Sequence, residues 1–319
     1  MHTNLIKNLS DGWQFKRKGS NKAFSAQVPG CVHLDLINHE MIPDPFVREN
    51  EKEVQWIADT NWNYQLIFSV DNKTIKGLWV GSGKNKKYKG VLLYIHGGAF
   101  IFGSPKTHMK LAARIAKEID FKAALPNYRL APENKYPCAV EDVITTYQAI
   151  LSTGVESSQI VLAGDSAGGT LVLELINHLL KKKLDLPATA VLLSPLTDLT
   201  FSGNSIKTNK EAEVILPAEQ IDFMKTSYLG SIDPKDISPL FYQYSGSCPI
   251  LIHVSESEIL LDDSIRLSKK LKSEGVDVVL QKMANTPHVW HLMYGYFPEA
   301  KQSFNQISKF LNTKLSNKI

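Results

Sequence analysis

The 319-residue sequence is short of several things, and each shortage closes off a class of function. It has three cysteines, Cys31, Cys138 and Cys248, far apart and odd in number. That argues against a disulfide framework and fits a reducing compartment. No cysteine or histidine spacing matches a metal-ligand pattern. No apolar run approaches the roughly 20 residues that cross a bilayer, and the N-terminus lacks a charged-then-apolar leader pattern. A cytoplasmic protein without stable membrane insertion is expected. Neither sign of charge dominates: 36 Lys and Arg face 32 Asp and Glu, for a net +4. The lysines are scattered. Lys181, Lys182 and Lys183 close a helical stretch, where cations suit the dipole. Nucleic acid is not an expected partner. There is no internal repeat.

What is there is an alternation of apolar runs and amphipathic stretches. Strands are expected near 91–95, 123–128, 159–164, 189–194, 249–254 and 276–281. Helices are expected near 107–119, 138–152, 167–182, 262–274 and 298–312. Leu111, Ala112, Ile115, Ala116 and Ile119 give the first of these an apolar face. This order predicts an α/β fold with a mostly parallel, doubly wound sheet. The length suffices for one large α/β domain and an appendage.

The most informative stretch is Gly164, Asp165, Ser166, Ala167, Gly168 and Gly169, between an apolar strand and a helix. A G-x-S-x-G turn in that context is the nucleophile elbow of α/β-hydrolases, which holds the serine hydroxyl clear of the sheet. Some seventy residues upstream, the strand 91–95 runs into His96, Gly97, Gly98, Ala99 and Phe100. A glycine loop there supplies backbone N–H groups to an oxyanion hole. Gly97 and Gly98 are the candidates, and the N–H of Ala167 completes the set. Each such donor contributes roughly 3–4 kcal/mol to the transition state.

The chain order of this fold is Ser, then an acid, then His. After the strand 249–254 four acids compete: Glu256, Glu258, Asp262 and Asp263. The last two open the next helix, where acids suit capping and the dipole, so Glu258 is preferred. Of the histidines that follow, His288 lies in a loop before the C-terminal helix and is preferred to His291. His2, His33, His39, His108, His178 and His253 are read as structural.

Further motifs carry a resemblance. Asn127 to Glu133 reads NYRLAPE, Leu193 to Leu199 reads LSPLTDL, Glu258 to Asp263 reads EILLDD, and Pro287, His288 and Val289 follow. From about Thr74 onward the sequence resembles the hormone-sensitive-lipase-like esterases, with their HGG loop and GDSAGG elbow. The resemblance implies a serine carboxylesterase acting on short-to-medium acyl esters, with Ser166, Glu258 and His288 as triad and no cofactor. The implied partner is a small-molecule ester, and a homodimer stays open. Two departures stand out. Glu258 stands where Asp is commoner, and Ala99 replaces a third glycine.

Residues 1–72 read differently from 73–319. Trp13, Gln14 and Phe15, then residues 28–36, 42–46, 54–57 and 61–64, resemble the N-terminal stretch of family-2 β-mannosidases. That implies a partial β-sandwich joined to a hydrolase domain. The helical N-terminal half of the usual esterase cap is missing. Trp13, Phe46, Trp56 and Trp62 are available as an improvised lid, while residues 201–229 retain a helix-like cap pattern. Two alternatives follow. One is a non-catalytic small-molecule binder, against which His288 argues. The other is a carbohydrate-active protein, which would need paired carboxylates that residues 1–70 do not supply.

Overall fold

Residues that alternate along each apolar run fall into two separate cores. In the computed structural model, Val91, Leu93 and Ile95 join one cluster, while Leu92 and Tyr94 join the other. Ile160 and Leu162 part from Val161 and Ala163 in the same way. Side chains of a strand point alternately to the two faces, so a strand buried on both sides must be apolar throughout. The structure describes residues 13–17, 22, 24–26, 62–70, 73–81 and 88–316.

The strands are β1 Trp13–Arg17, β2 Phe24–Ala26, β3 Trp62–Val70, β4 Lys73–Val80, β5 Val91–Ile95, β6 Lys122–Pro126, β7 Ile160–Asp165, β8 Thr189–Leu193, β9 Ile250–Ser255 and β10 Val278–Met283. Their order is β10-β9-β8-β7-β5-β6-β4-β3-β1-β2. From β10 to β6 every pairing is parallel. From β6 through β4, β3, β1 and β2 every pairing is antiparallel. The chain leaves β5 to one side for β6 and returns on the other for β7. The loops after β5 and β7 therefore meet at this reversal, where an open α/β sheet makes its crevice.

The α-helices that matter are α1 Pro105–Glu118, α2 Cys138–Leu151, α3 Ala167–Lys182, α4 Ser205–Thr208, α5 Ile221–Leu229, α6 Leu261–Ser273 and α7 Pro298–Leu315. Buried residues of α2, α3 and α6 join one core and those of α1 and α7 the other. Helix α1 starts two residues earlier than the periodicity suggests. Ser104 and Thr107 form a reciprocal capping box and Pro105 occupies the first turn, where its missing N–H costs nothing. Among the described residues, no helix is long and apolar enough to cross a membrane.

The expected boundary at 72/73 falls inside a hairpin. Val70 pairs with Lys73, and β4 continues onto β6 from Gly77–Pro126 to Val80–Ala123. Strands β3, β1 and β2 thus extend the main sheet in one layer. Trp13 and Trp62 begin β1 and β3, in the antiparallel end of the sheet. Strand β3 stands four positions from β7, which at about 4.8 Å per strand is ~19 Å. The unpaired side of β4 accounts for this, because a free edge attracts another strand. Phe46 and Trp56 lie outside the described residues.

Candidate active site

The sharp turn after β7 puts Ser166 at φ 51° and ψ −121°, a conformation that few non-glycine residues adopt. The surroundings enforce it. Ser166 N–H donates to Leu193 O, and Ser166 O accepts from Gly169 and Leu196 N–H. Gly168 allows the helix to close against β5: a Cβ there would stand 2.1 Å from Ile95 O. Ser166 heads α3, so Ala167 N–H is among the first-turn groups that have no partner within the helix.

The glycine loop after β5 turns back on itself. Gly98 O accepts from both Ile101 and Phe102 N–H. Ala99 and Phe100 take positive φ, and the Phe100 ring is fully buried against Tyr228 at 3.7 Å. Gly97, Gly98 and Ser166 line one cleft of about 330 Å³.

The four competing acids separate cleanly. Glu256 is exposed and pairs with Lys282 at 2.8 Å. Asp262 accepts from Ser205 N–H at 3.0 Å. Asp263 is buried and accepts from Thr197 and Asp198 N–H at 2.6 and 2.8 Å. Glu258 Oε2 lies 2.7 Å from His288 Nδ1, and its Oε1 accepts from Ser255 N–H. His288 lines the same cleft as Ser166. Burial pushes its imidazole pKa down, but the charge and hydrogen bond of Glu258 outweigh this and hold it above the ordinary histidine value. His291, the competitor, is turned elsewhere: its Nε2 meets His253 Nδ1 at 3.1 Å inside the core. Burial drives His253 down to about 3, and His291 well below its ordinary range.

Residues that sequence reasoning passed over hold these loops in place. Asn209 Nδ2 donates to Glu256 O and Glu258 O, both at 2.9 Å. Glu213 accepts from Ile259 N–H, and Ser255 Oγ donates to Thr286 O, tying the acid loop to the histidine loop. Ser194 Oγ accepts from Val289 N–H. No local pattern marks Asn209 or Glu213, because their partners are some fifty residues away. His108, read as structural, is buried against Asp165 and also lines the cleft.

The retained cap pattern forms α4, α5 and the turn between them. Phe201, Leu216, Ile221 and Met224 give the cleft one apolar wall, with Ile259 and Leu260 opposite the cap in sequence. Among the described residues no group of three or more His, Cys, Asp or Glu side chains is placed to hold a metal. A buried serine on a strained turn, a carboxylate-bound imidazole, nearby backbone N–H groups and an apolar cleft together suit nucleophilic acyl transfer.

Comparisons with known proteins agree. Residues 92–292 match the alpha/beta hydrolase fold family, and residues 13–79 match the glycosyl hydrolase 2 galactose-binding domain-like family. An acetyl-hydrolase of Streptomyces hygroscopicus is 34% identical over 224 residues, covering 70% of this chain and 75% of that protein. An esterase of Acinetobacter venetianus is 34% identical over 223 residues, covering 69% and 74%. Among solved structures, an esterase from the bacterial hormone-sensitive lipase family superposes with TM-score 0.74 at 34% identity, over 79% of this chain and 84% of that one.

Proposed function

This chain belongs to the alpha/beta hydrolase fold family, and from that premise we propose that it is a carboxylic ester hydrolase working through Ser166, His288 and Glu258. Ser166 Oγ attacks the ester carbonyl while His288 Nε2 takes its proton. Glu258 holds Nδ1 and stabilises the imidazolium. The N–H groups of Gly97, Gly98 and Ala167 receive the developing oxyanion, each worth about 3–4 kcal/mol. His288 then returns the proton to the alkoxide leaving group, giving an acyl-Ser166. A water, deprotonated by His288, attacks the acyl carbon, and the carboxylic acid departs as Oγ recovers its proton. No cofactor enters this sequence.

The observation that carries the reading is the Glu258–His288 pair on the same cleft as the strained Ser166. The cleft of about 330 Å³, with its apolar wall, supports short-to-medium acyl chains. So do two relatives, an acetyl-hydrolase and an ethyl acetate hydrolase of Pseudomonas putida. We assign the catalysis to residues 73–319 and treat 1–72 as an appended unit. Hydrolysis of p-nitrophenyl esters from C2 to C12, with mass spectrometry of the sulfonyl-fluoride adduct, tests all of this. Expected are best rates below about C8 and one adduct on Ser166. Labelling elsewhere, or turnover that survives Ser166→Ala, overturns it.

A cytoplasmic location is our expectation from the cysteines, few, far apart and odd in number. Recovery of the protein from a membrane or extracellular fraction would refute that.

A further inference from the structure

A second histidine–carboxylate pair borders the cleft, and the esterase mechanism does not use it. His108 Nε2 lies 3.3 Å from Asp165 Oδ2, and the two side chains are 8% and 3% exposed. Both residues line the cleft with Ser166. Asp165 Oδ1 accepts from Tyr94 OH at 2.7 Å.

The proton accounting at His108 differs from that at His288. Thr107 Oγ1 gives its single proton to Ser104 O at 2.8 Å. With that proton so placed, its lone pair faces His108 Nδ1, 2.8 Å away. Nε2 faces the Asp165 carboxylate, whose hydrogen bond and charge raise the His108 pKa against the effect of burial. Both contacts favour the imidazolium, held at both nitrogens.

This ion pair is packed against the glycine loop. A Cβ on Gly97 would stand 2.2 Å from Asp165 Oδ2 and 2.8 Å from Asp165 O, so the Gly97 backbone rests on the Asp165 carboxylate. The preceding ring, His96, is stacked between Tyr128 at 4.2 Å and His108 at 5.5 Å. Tyr128 OH donates to His96 O at 2.8 Å. Burial holds His96 down to about 4, so it stays neutral beside the cation. The groups facing His108 are Asp165 from β7, Tyr94 from β5, His96 just after it, and Thr107 and the N-cap Ser104 of its own helix.

We propose that Asp165 and His108 are positioning residues for the oxyanion loop. The ion pair fixes Gly97 and Gly98 at the distance from Ser166 at which their N–H groups meet the oxyanion. It does not take protons from Ser166. A displacement of about 1 Å in such a donor costs on the order of 10²-fold in rate. The pair thus acts in the transition state and contributes little to ground-state binding. This rests on the esterase reading above. Failure of that reading would appear as an unaltered protein without ester turnover, whereas failure here leaves turnover intact.

The test compares Asp165→Asn and His108→Gln with the unaltered protein on p-nitrophenyl butyrate. Expected is a fall in kcat of about 10–100-fold with KM within about 2-fold. An alkyl trifluoromethyl ketone, which places an oxyanion in the same hole, should lose affinity by the same factor. In the unaltered protein, ¹⁵N NMR of labelled histidine should find His108 mostly protonated on both nitrogens at pH 6.5, where an ordinary histidine is half titrated. The alkaline limb of kcat, where the imidazolium loses its proton, should vanish in His108→Gln. Unchanged kcat and ketone affinity in a folded variant would overturn the proposal. So would a loss confined to KM, or a mostly neutral His108 at pH 6.5. The NMR reading needs no variant, so a variant that fails to fold does not shield the idea.

Discussion

Two histidine–carboxylate pairs flank Ser166, built from the same side-chain chemistry and suited to opposite work. His288 comes from the loop after β10 and meets Glu258 through Nδ1 alone. Among the described residues no protein hydrogen bond takes its Nε2, which in the mechanism proposed above exchanges a proton with the serine. His108 comes from α1 and has a partner on both nitrogens. A histidine shuttles protons only when one nitrogen is held and the other is open. Closing the second nitrogen, as we propose for His108, favours a fixed cation over a proton shuttle. The carboxylate sets the orientation in both places, and the occupant of the far nitrogen decides the role.

The largest effect should come from breaking the open pair. Ser166→Ala or His288→Ala should reduce kcat on p-nitrophenyl butyrate by roughly 10³-fold or more with the fold intact by circular dichroism. His108→Gln should fall well short of that. Equal losses at His288 and His108 would erase the distinction between them.

Glu258→Gln should cost roughly 10²–10⁴ in kcat. It should also move the acid limb of kcat/KM. Burial alone lowers the His288 pKa, and Glu258 raises it above the ordinary 6.5. The unaltered enzyme should therefore gain activity as pH rises through a value above 6.5. The variant's residual activity should rise at a lower pH. A limb that stays in place would mean that Glu258 does not set the imidazole's charge.

Stability should respond to pH with two opposing signs. His253 titrates near 3 in the folded protein against 6.5 when exposed, so its contribution is present above 6.5 and drains away as pH falls toward 3. His288 has a raised pKa, so its pairing stabilises below 6.5 and is lost as pH rises through the folded value. In urea titrations, the midpoint should drop between pH 6.5 and pH 4. In Glu258→Gln the drop should be steeper, because His288 without its carboxylate is held down by burial and adds a loss of the same sign as His253. A midpoint that is flat over this range would contradict the burial of a neutral His253–His291 pair.

The smallest effect is expected at the acid that lost the competition. Asp262 binds Ser205 at the start of α4 rather than any histidine. Asp262→Asn should leave kcat within about 3-fold and lower Tm by a few degrees at most. If Asp262→Asn proves crippling while Glu258→Gln is mild, the triad acid has been misassigned.

Much of this molecule was legible before any coordinates. The elbow declares itself in six consecutive residues, because the tight turn, the helix start and the close approach to β5 each impose a local demand. The strands β5 to β9 declare themselves because burial on both faces leaves no room for polar positions. The N-terminal stretch was harder. Trp62 to Val70 reads as strand, but its pairing depends on an open edge at β4, which is a property of the assembled sheet.

By itself, the sequence determined the α/β order, the serine, the glycine loop and a short list of acids and histidines. Only the tertiary structure decided among them. It brought Glu258 rather than Asp262 to His288, turned His291 inward to His253, and set His108 against Asp165. The physical reason is that a titratable group's role is fixed by what faces each of its polar atoms and by how dry the contact is. Those neighbours are 30 residues away in sequence for Glu258 and His288 and 57 for His108 and Asp165, distances at which no local pattern survives.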